Sequence, residues 1–290
     1  MRASTRLRIS LIAAGLAVTV FATFFFAQPR QLSLVLVDRE GRKTPVGLLP
    51  ADTFAPRISP DGKRVAYDTD SDGKVWIADL SKLSSPRRAT TGQDHYPMWS
   101  ADGNQIVFTR DEPNQQELYM QRSDGTGTAE RVATGRAPES WSAQNQVFSF
   151  ITLSDYYSIW TYSLKDKKAT VLIDTLGVTQ HSSRFSPDGK WIAYTSLETG
   201  RFEVFVQPFP RTGAKFQVTK QGGGHALWSL DGKELFFDND DQLFAVSVRT
   251  AGTFSSGAPV PLPIRGFIQG NARRQFDLMP DGKQFLMMFP

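Results

Sequence analysis

Only three histidines occur in the 290-residue chain, and each stands just ahead of a recurring Ser-x-Asp-Gly phrase. His95 lies five residues before Ser100, His181 five before Ser186, and His225 four before Ser229. Glu139 occupies the equivalent stretch before Ser142. Imidazoles brought together from separate segments, with a carboxylate beside them, are a donor set for a divalent metal or a small polar ligand. The spacing therefore nominates His95, His181, His225 and Glu139 as one ligand site. The one-residue offset of His225 argues the other way, because a shift by one reverses the side a strand residue faces. Separate structural roles for the three rings are the alternative.

The elements that would position them are set by repetition. The phrases are RISPDGKRVAY from Arg57, MWSADGNQIVF from Met98, SWSAQNQVFSF from Ser140, RFSPDGKWIAY from Arg184, LWSLDGKELFF from Leu227 and DLMPDGKQFLM from Asp277. Aligned on Ser59, Ser100, Ser142, Ser186, Ser229 and Met279, they recur at intervals of 41, 42, 44, 43 and 50 residues. A period of about 40–45 residues predicts a propeller with one four-stranded blade per unit. In each phrase aspartate suits a turn and glycine accepts positive φ on re-entering a strand. Asp61-Gly62, Asp102-Gly103, Asp188-Gly189, Asp231-Gly232 and Asp281-Gly282 are thus structural hairpin residues. In the third unit Gln144-Asn145 stands in, with asparagine taking the left-handed conformation.

Apolar residues alternate after each turn, as in Val65 and Tyr67 or Leu235 and Phe237, the pattern of a half-buried strand. A third strand follows in every unit (KVWIADL, ELYMQRS, SIWTYSL, EVFVQPF, QLFAVSV), then a fourth, the fifth unit's being the proline-broken stretch around Val260. The sixth unit holds only two strands before the C-terminus. Ser33 to Asp38 and a strand near Val46 to Leu49 supply the other two, closing a ring of six antiparallel blades over residues 31–290 and removing the free sheet edge.

Composition narrows the function classes. There are 33 basic and 29 acidic residues, but Arg2, Arg6 and Arg8 precede an apolar run, leaving the rest near neutral. No basic run with interleaved aromatics points to nucleic acid. Cysteine is absent, so disulfides, thiolate metal sites and a thiol nucleophile are excluded. Ile9 to Ala27 is a 19-residue run without charge, about 28 Å as a helix, close to the hydrocarbon thickness of a bilayer. Residues 1–30 therefore form an N-terminal hydrophobic helix, an anchor that leaves the propeller outside the inner membrane. Cleavage after Ala22 and secretion is the alternative.

The phrases RISPDGKRVAY and RFSPDGKWIAY resemble the TolB-type, WD40-like (PD40) repeats of bacterial exported proteins. VDREGRKTPVGLLP with FAPRISPDGKRVAYDT, and the stretch from LWSLDGKELFF through FDLMPDGKQFLMM, resemble the extracytoplasmic propellers of bacterial serine/threonine kinases. The resemblance spans nearly everything after Leu32 and implies an interaction or sensing module with a protein partner in the cell envelope. TolB carries an additional α/β domain before its propeller, and about 30 residues precede this one. No kinase motif and no Gly-x-Ser-x-Gly elbow occurs.

WD-type repeats use a histidine ahead of the first strand to bond an aspartate and brace the blade. Certain propeller lyases acting on acidic sugars hold a metal with channel histidines, and this pattern is similar. Asp238, Asp240 and Asp241 in FFDNDDQLF are expected as a solvated acidic turn, and Gly222-Gly223-Gly224 as relief of crowding between blades. The sequence thus predicts a monomeric, non-catalytic exported binding module that needs no cofactor. The alternative is a divalent-metal or small-ligand propeller with lyase- or hydrolase-like chemistry.

Overall fold

A computed structural model describes residues 31–270 and 273–290. The predicted hydrophobic segment Ile9 to Ala27 lies outside the described residues. Among the described residues no helix is long and apolar enough to cross a membrane.

Six antiparallel sheets form the six blades of a propeller. Blade one comprises Thr53–Ile58, Arg64–Thr69, Lys74–Asp79 and Arg87–Arg88 in spatial order. Blade two runs Asp94–Trp99, Gln105–Asp111, Gln116–Arg122 and Glu130–Thr134. Blade three runs Arg136–Ser142, Val147–Leu153, Tyr157–Ser163 and Lys168–Ile173. Blade four runs Gln180–Phe185, Trp191–Ser196, Glu203–Pro208 and Phe216–Gln217. Blade five begins Gly224–Trp228, Glu234–Asn239 and Gln242–Arg249, and its outer position is shared by Ser255–Ser256 and Val260–Arg265. Both outer pieces pair with Gln242–Arg249, the break falling at Gly257-Ala258-Pro259 where proline cannot donate to the ladder.

The sixth blade is made from both ends of the chain, in the order Lys43–Pro50, Gln31–Asp38, Gln284–Phe289, Phe276–Leu278. Ser33 pairs with Phe289 and Asp38 with Gln284. The expected ring closure is the one observed.

The first-to-second-strand hairpins repeat to within degrees. Gly62, Gly103, Gly189, Gly232 and Gly282 adopt φ of 69–71°. In blade two the Ser100 hydroxyl donates to Asp102 at 2.6 Å and accepts from the Gln105 N–H at 2.9 Å, while Asp102 accepts from the Asn104 N–H at 3.0 Å. Ser186 with Asp188, and Ser229 with Asp231, repeat the arrangement. Blade three departs from expectation: the left-handed residue is Gln146 (φ 53°), not Asn145. Asn145 instead donates its amide to Ser142 Oγ at 2.9 Å and to the Gly189 carbonyl of the next blade at 2.8 Å, so its side chain is spent as a brace.

The central strands are more deeply buried than alternation predicts. Val65, Ala66 and Tyr67 are all buried, because each blade is sandwiched between two others and has no water-facing side. Val65 and Tyr67 pack toward the closing blade, with Leu34, Leu286 and Met288, while Ala66 packs toward blade two, with Trp99 and Phe108. The apolar interior is thus six clusters, one at every junction between neighbouring blades.

Deleting Gln284–Pro290 from the full chain strips Phe285, Leu286, Met287 and Met288 from two junctions and exposes the edge of Gln31–Asp38. Loss of a cooperative thermal transition is expected by differential scanning calorimetry. A truncated protein melting like the intact one would refute the importance of closure.

Candidate functional site

The innermost strand of each of the first five blades contains a non-glycine residue in the left-handed region: Ala55, Tyr96, Ala137, Ser182 and His225, with φ between 43° and 56°. Each coincides with a register break against the second strand, so each is a β-bulge. A bulge frees a backbone N–H, and in four blades a side chain of the preceding blade takes it. Ala55 donates to Gln275 Oε1 at 3.0 Å, Ala137 to Thr109 Oγ1 at 2.8 Å, His225 to Thr195 Oγ1 at 3.1 Å, and Ser182 to Glu139. His95 and His181 immediately precede the bulged residue, whereas His225 is the bulged residue. That is the origin of its one-residue offset.

His181 and His225 come together. Their rings are 5.8 Å apart, both are buried, and they wall a cleft of about 600 Å³ with Phe202, Thr195, Arg201 and Asp238. His225 Nδ1 lies 3.0 Å from Asp238 Oδ1, and His181 Nδ1 lies 2.8 Å from Ser182 Oγ. The Nε2 atoms of both rings are buried without a hydrogen-bond partner among the described residues. Burial pushes His181 down to about 3, with the neighbouring His225 adding to the shift, so it is neutral across the ordinary pH range.

His95 belongs to a different cluster. Its Nδ1 is 3.4 Å from Asp68 of blade one and its Nε2 is 3.6 Å from Asp111. Asp68, Asp70 and His95 each offer a ligand atom within 4.8 Å of the others, the single such grouping of three among the described residues. Arg273 bridges Asp68 and Asp70 at 3.4 and 3.5 Å and lies over the Tyr96 and Phe54 rings. The hydrogen bond to Asp68 holds the His95 pKa above its ordinary value, against the opposing effect of burial. The three histidines therefore lie in two places rather than one.

Glu139 joins neither group. Its carboxylate accepts from the Ser182 and Ser183 N–H groups and from the Ser183 hydroxyl, pinning the blade-four bulge to blade three. Burial raises its pKa despite those donors. The Asp-Gly turns lie at the opposite ends of the innermost strands from the histidines, in keeping with their structural reading.

Asp238 is not a solvated turn residue as the sequence suggested. It lies within the second strand, next to its last residue, is 6% exposed, and partners His225; only Asp240 and Asp241 make the turn. Asp68 was equally unforeseen. The signal was present: Asp68, Thr109, Thr195 and Asp238 each stand nine residues after the repeat serine, polar residues at one position of an otherwise apolar strand. The triple glycine does relieve crowding, since a Cβ on Gly223 would lie 2.7 Å from the Phe237 ring.

No family model matches the chain. Over 162 residues, 52% of the chain, it is 27% identical to an uncharacterized protein of Agrobacterium fabrum, a match spanning 53% of that protein's length. The structure is similar to that of a TolB candidate of Agrobacterium tumefaciens, with a TM-score of 0.69 at 20% identity, covering 90% of this chain and 99% of the other. TolB of Acinetobacter baumannii aligns with a TM-score of 0.53 at 16% identity, over 89% of this chain and 63% of that one. An oligogalacturonate lyase in complex with manganese aligns with a TM-score of 0.55 at 16% identity, over 86% and 80%. The fold is thus the TolB-type six-bladed propeller, and it is shared with a metal-bound enzyme.

The neutral His181 predicts a particular acid sensitivity. Unfolded histidine takes up a proton near pH 6.5 whereas the buried ring does not until about pH 3, so stability falls as pH drops through that window. The contribution is at most about 1.4 kcal/mol per pH unit. Denaturant titrations of the full chain at pH 7 and pH 5 should show a smaller loss for His181→Gln than for the unaltered protein. Equal losses would mean the ring is protonated in the folded state.

Proposed function

We propose that the chain is an exported, non-catalytic binding module that engages a protein through the propeller face where the histidines lie. The observation that carries this is an apolar patch on that face. Leu153 ends the second strand of blade three, Leu176 lies in the connection to blade four, and Leu197 and Phe202 flank the next hairpin of blade four. Antiparallel order puts all three connections at the end of the disc where the innermost strands begin. These side chains are exposed, Leu176 by 88%, on adjacent blades. Phe202 also meets His181 edge-on at 5.0 Å, linking the patch to the cleft. Large apolar side chains grouped on one face suit a protein interface. The similarity to TolB propellers supports the same reading, with the disc outside the cytoplasm and Ile9 to Ala27 as its membrane anchor.

Photo-crosslinking from intact membranes tests it. A benzophenone residue at position 153 or 176 should give a discrete adduct identifiable by mass spectrometry, and Leu197→Glu should reduce it about tenfold or more. The same probe at Lys63 or Lys283, on the turns of the opposite face, should give none. Equal adducts from both faces would overturn the assignment. A periplasm-dependent reporter fused after Pro290 should be active if the orientation is right.

A second reading concerns a divalent metal. The grouping of Asp68, Asp70 and His95 favours it, since Asp68 Oδ1 is buried without a partner and two carboxylates beside an imidazole suit a divalent ion. Such an ion would take the place Arg273 holds between the two carboxylates, and would supply Lewis-acid polarisation of a bound acidic ligand. His181 and His225 would remain outside its first coordination sphere. Metal analysis of protein purified without chelator should give near one equivalent, lost in Asp68→Asn. Sub-stoichiometric metal in both proteins would leave the binding module as the function.

A further inference from the structure

The rim between blades three and four holds a pocket that neither reading uses. Its origin is a short strand. Blade three ends in the six-residue strand Lys168–Ile173, whereas blade four ends in Phe216–Gln217, which pairs only with Phe205 and Val206 of the third strand. Gln207 therefore lies past the end of that outer ladder, paired inward with Ile192 alone. The chain beyond the third strand reaches to blade three instead, where Arg211 donates to the Leu172 carbonyl at 2.8 Å. The space left is a cavity of about 190 Å³ walled by Ile173, Tyr194, Gln207, Arg211 and Lys215.

The polar side chains that wall it are donors. Gln207 shares its side of the strand with Phe205, which packs with Tyr194 and Ile173 in the apolar junction between the two blades. An amide thus stands where the pattern calls for an apolar residue. Gln207 is 4% exposed, and its Nε2 is buried without a hydrogen-bond partner among the described residues. Such a donor is costly, and an acceptor brought from outside removes the cost. Burial pushes the Tyr194 pKa up, with Glu198 adding to the shift and Arg211 opposing it, so the hydroxyl lies near both charges and keeps its proton. The Leu172 bond uses one of the five N–H groups of the Arg211 guanidinium. Lys215 is already held by Glu198. No carboxylate walls the cavity; Asp174 falls between the lining residues Ile173 and Thr175 without lining it itself.

We propose that this rim pocket binds a carboxylate, that of a small organic acid or of a polypeptide C-terminus, which accepts from the Arg211 guanidinium and the Gln207 amide. A planar carboxylate matches the guanidinium fork. The cavity has room for about six water-sized groups, the bulk of a four-carbon acid. Glu198 and Asp174 close by disfavour a dianion such as phosphate. The pocket opens on the perimeter of the disc, away from the apolar patch, so it stands independently of the protein interface.

Butyrate is the probe, with butyramide as the uncharged control of the same shape. Saturation-transfer NMR on the full chain should show butyrate bound and butyramide unbound. Arg211 is exposed, so Arg211→Gln keeps the fold, and it should weaken butyrate about fivefold or more. Gln207→Met should weaken butyrate too, yet raise the melting temperature of the ligand-free protein by about 1 °C or more, because an unpartnered amide gives way to an apolar side chain. Equal transfer from butyrate and butyramide, or unchanged butyrate binding in Arg211→Gln, would overturn the proposal. A lower melting temperature for Gln207→Met would count against it as well, by showing the amide to be satisfied within the fold. Competition separates the two sources of carboxylate. Displacement of butyrate by acetyl-glycyl-alanine, but not by its C-terminal amide, assigns a polypeptide terminus; no displacement by either peptide assigns a free organic acid.

Discussion

Burial of every blade on both faces is the constraint from which the rest of the structure follows. A sheet with one solvated face can stop anywhere, but a sheet apolar on both faces needs a neighbour on each side. Val65 and Tyr67 on one face of a strand and Ala66 on the other commit blade one to two partners at once. The only arrangement that satisfies this for all blades is a ring. The ring in turn fixes the bulges, because innermost strands crowded around an axis must bend, and the left-handed residues at Ala55, Tyr96, Ala137, Ser182 and His225 are where they do so.

Those bends make chemistry available. In four of the five, a side chain of the preceding blade meets the N–H freed from the ladder, which is why polar residues gather at one end of otherwise apolar strands. Thr109 and Thr195 latch neighbouring blades together. Asp68 and Asp238 occupy the same position and instead engage histidines, so a structural slot has been given ionisable occupants. A latch residue that becomes an acid is a small change in sequence with a large change in what the face can bind.

The repeat made the architecture legible before any coordinates. Serine, aspartate and glycine at fixed offsets act locally through a turn, so their meaning survives without knowledge of the fold, and the strand pairing at closure followed by counting. The site was less legible because its partners are set by the ring. Asp68 and His95 are 27 residues apart and meet only because blades one and two are adjacent. The offset of His225 looked like a reversal of side, and the bulge turned it into a shared wall with His181. Asn145 shows the same limit on a smaller scale: its tolerance of positive φ was real, but a carbonyl of the next blade claimed its amide.

The seam of the ring also has a meaning in time. Gln31–Asp38 is among the first strands made, yet its inner partner, Gln284–Phe289, is among the last. At about 5–20 residues per second, synthesis of the intervening stretch takes roughly 12–50 seconds. Throughout that interval the early strand presents bare N–H and C=O groups and the apolar side chains of Leu34 and Val37, buried in the finished molecule. Pairing across so long a separation is slow in itself. The early strand therefore waits with one edge unpaired until Gln284–Phe289 has emerged, and the ring can seal only after that strand is made.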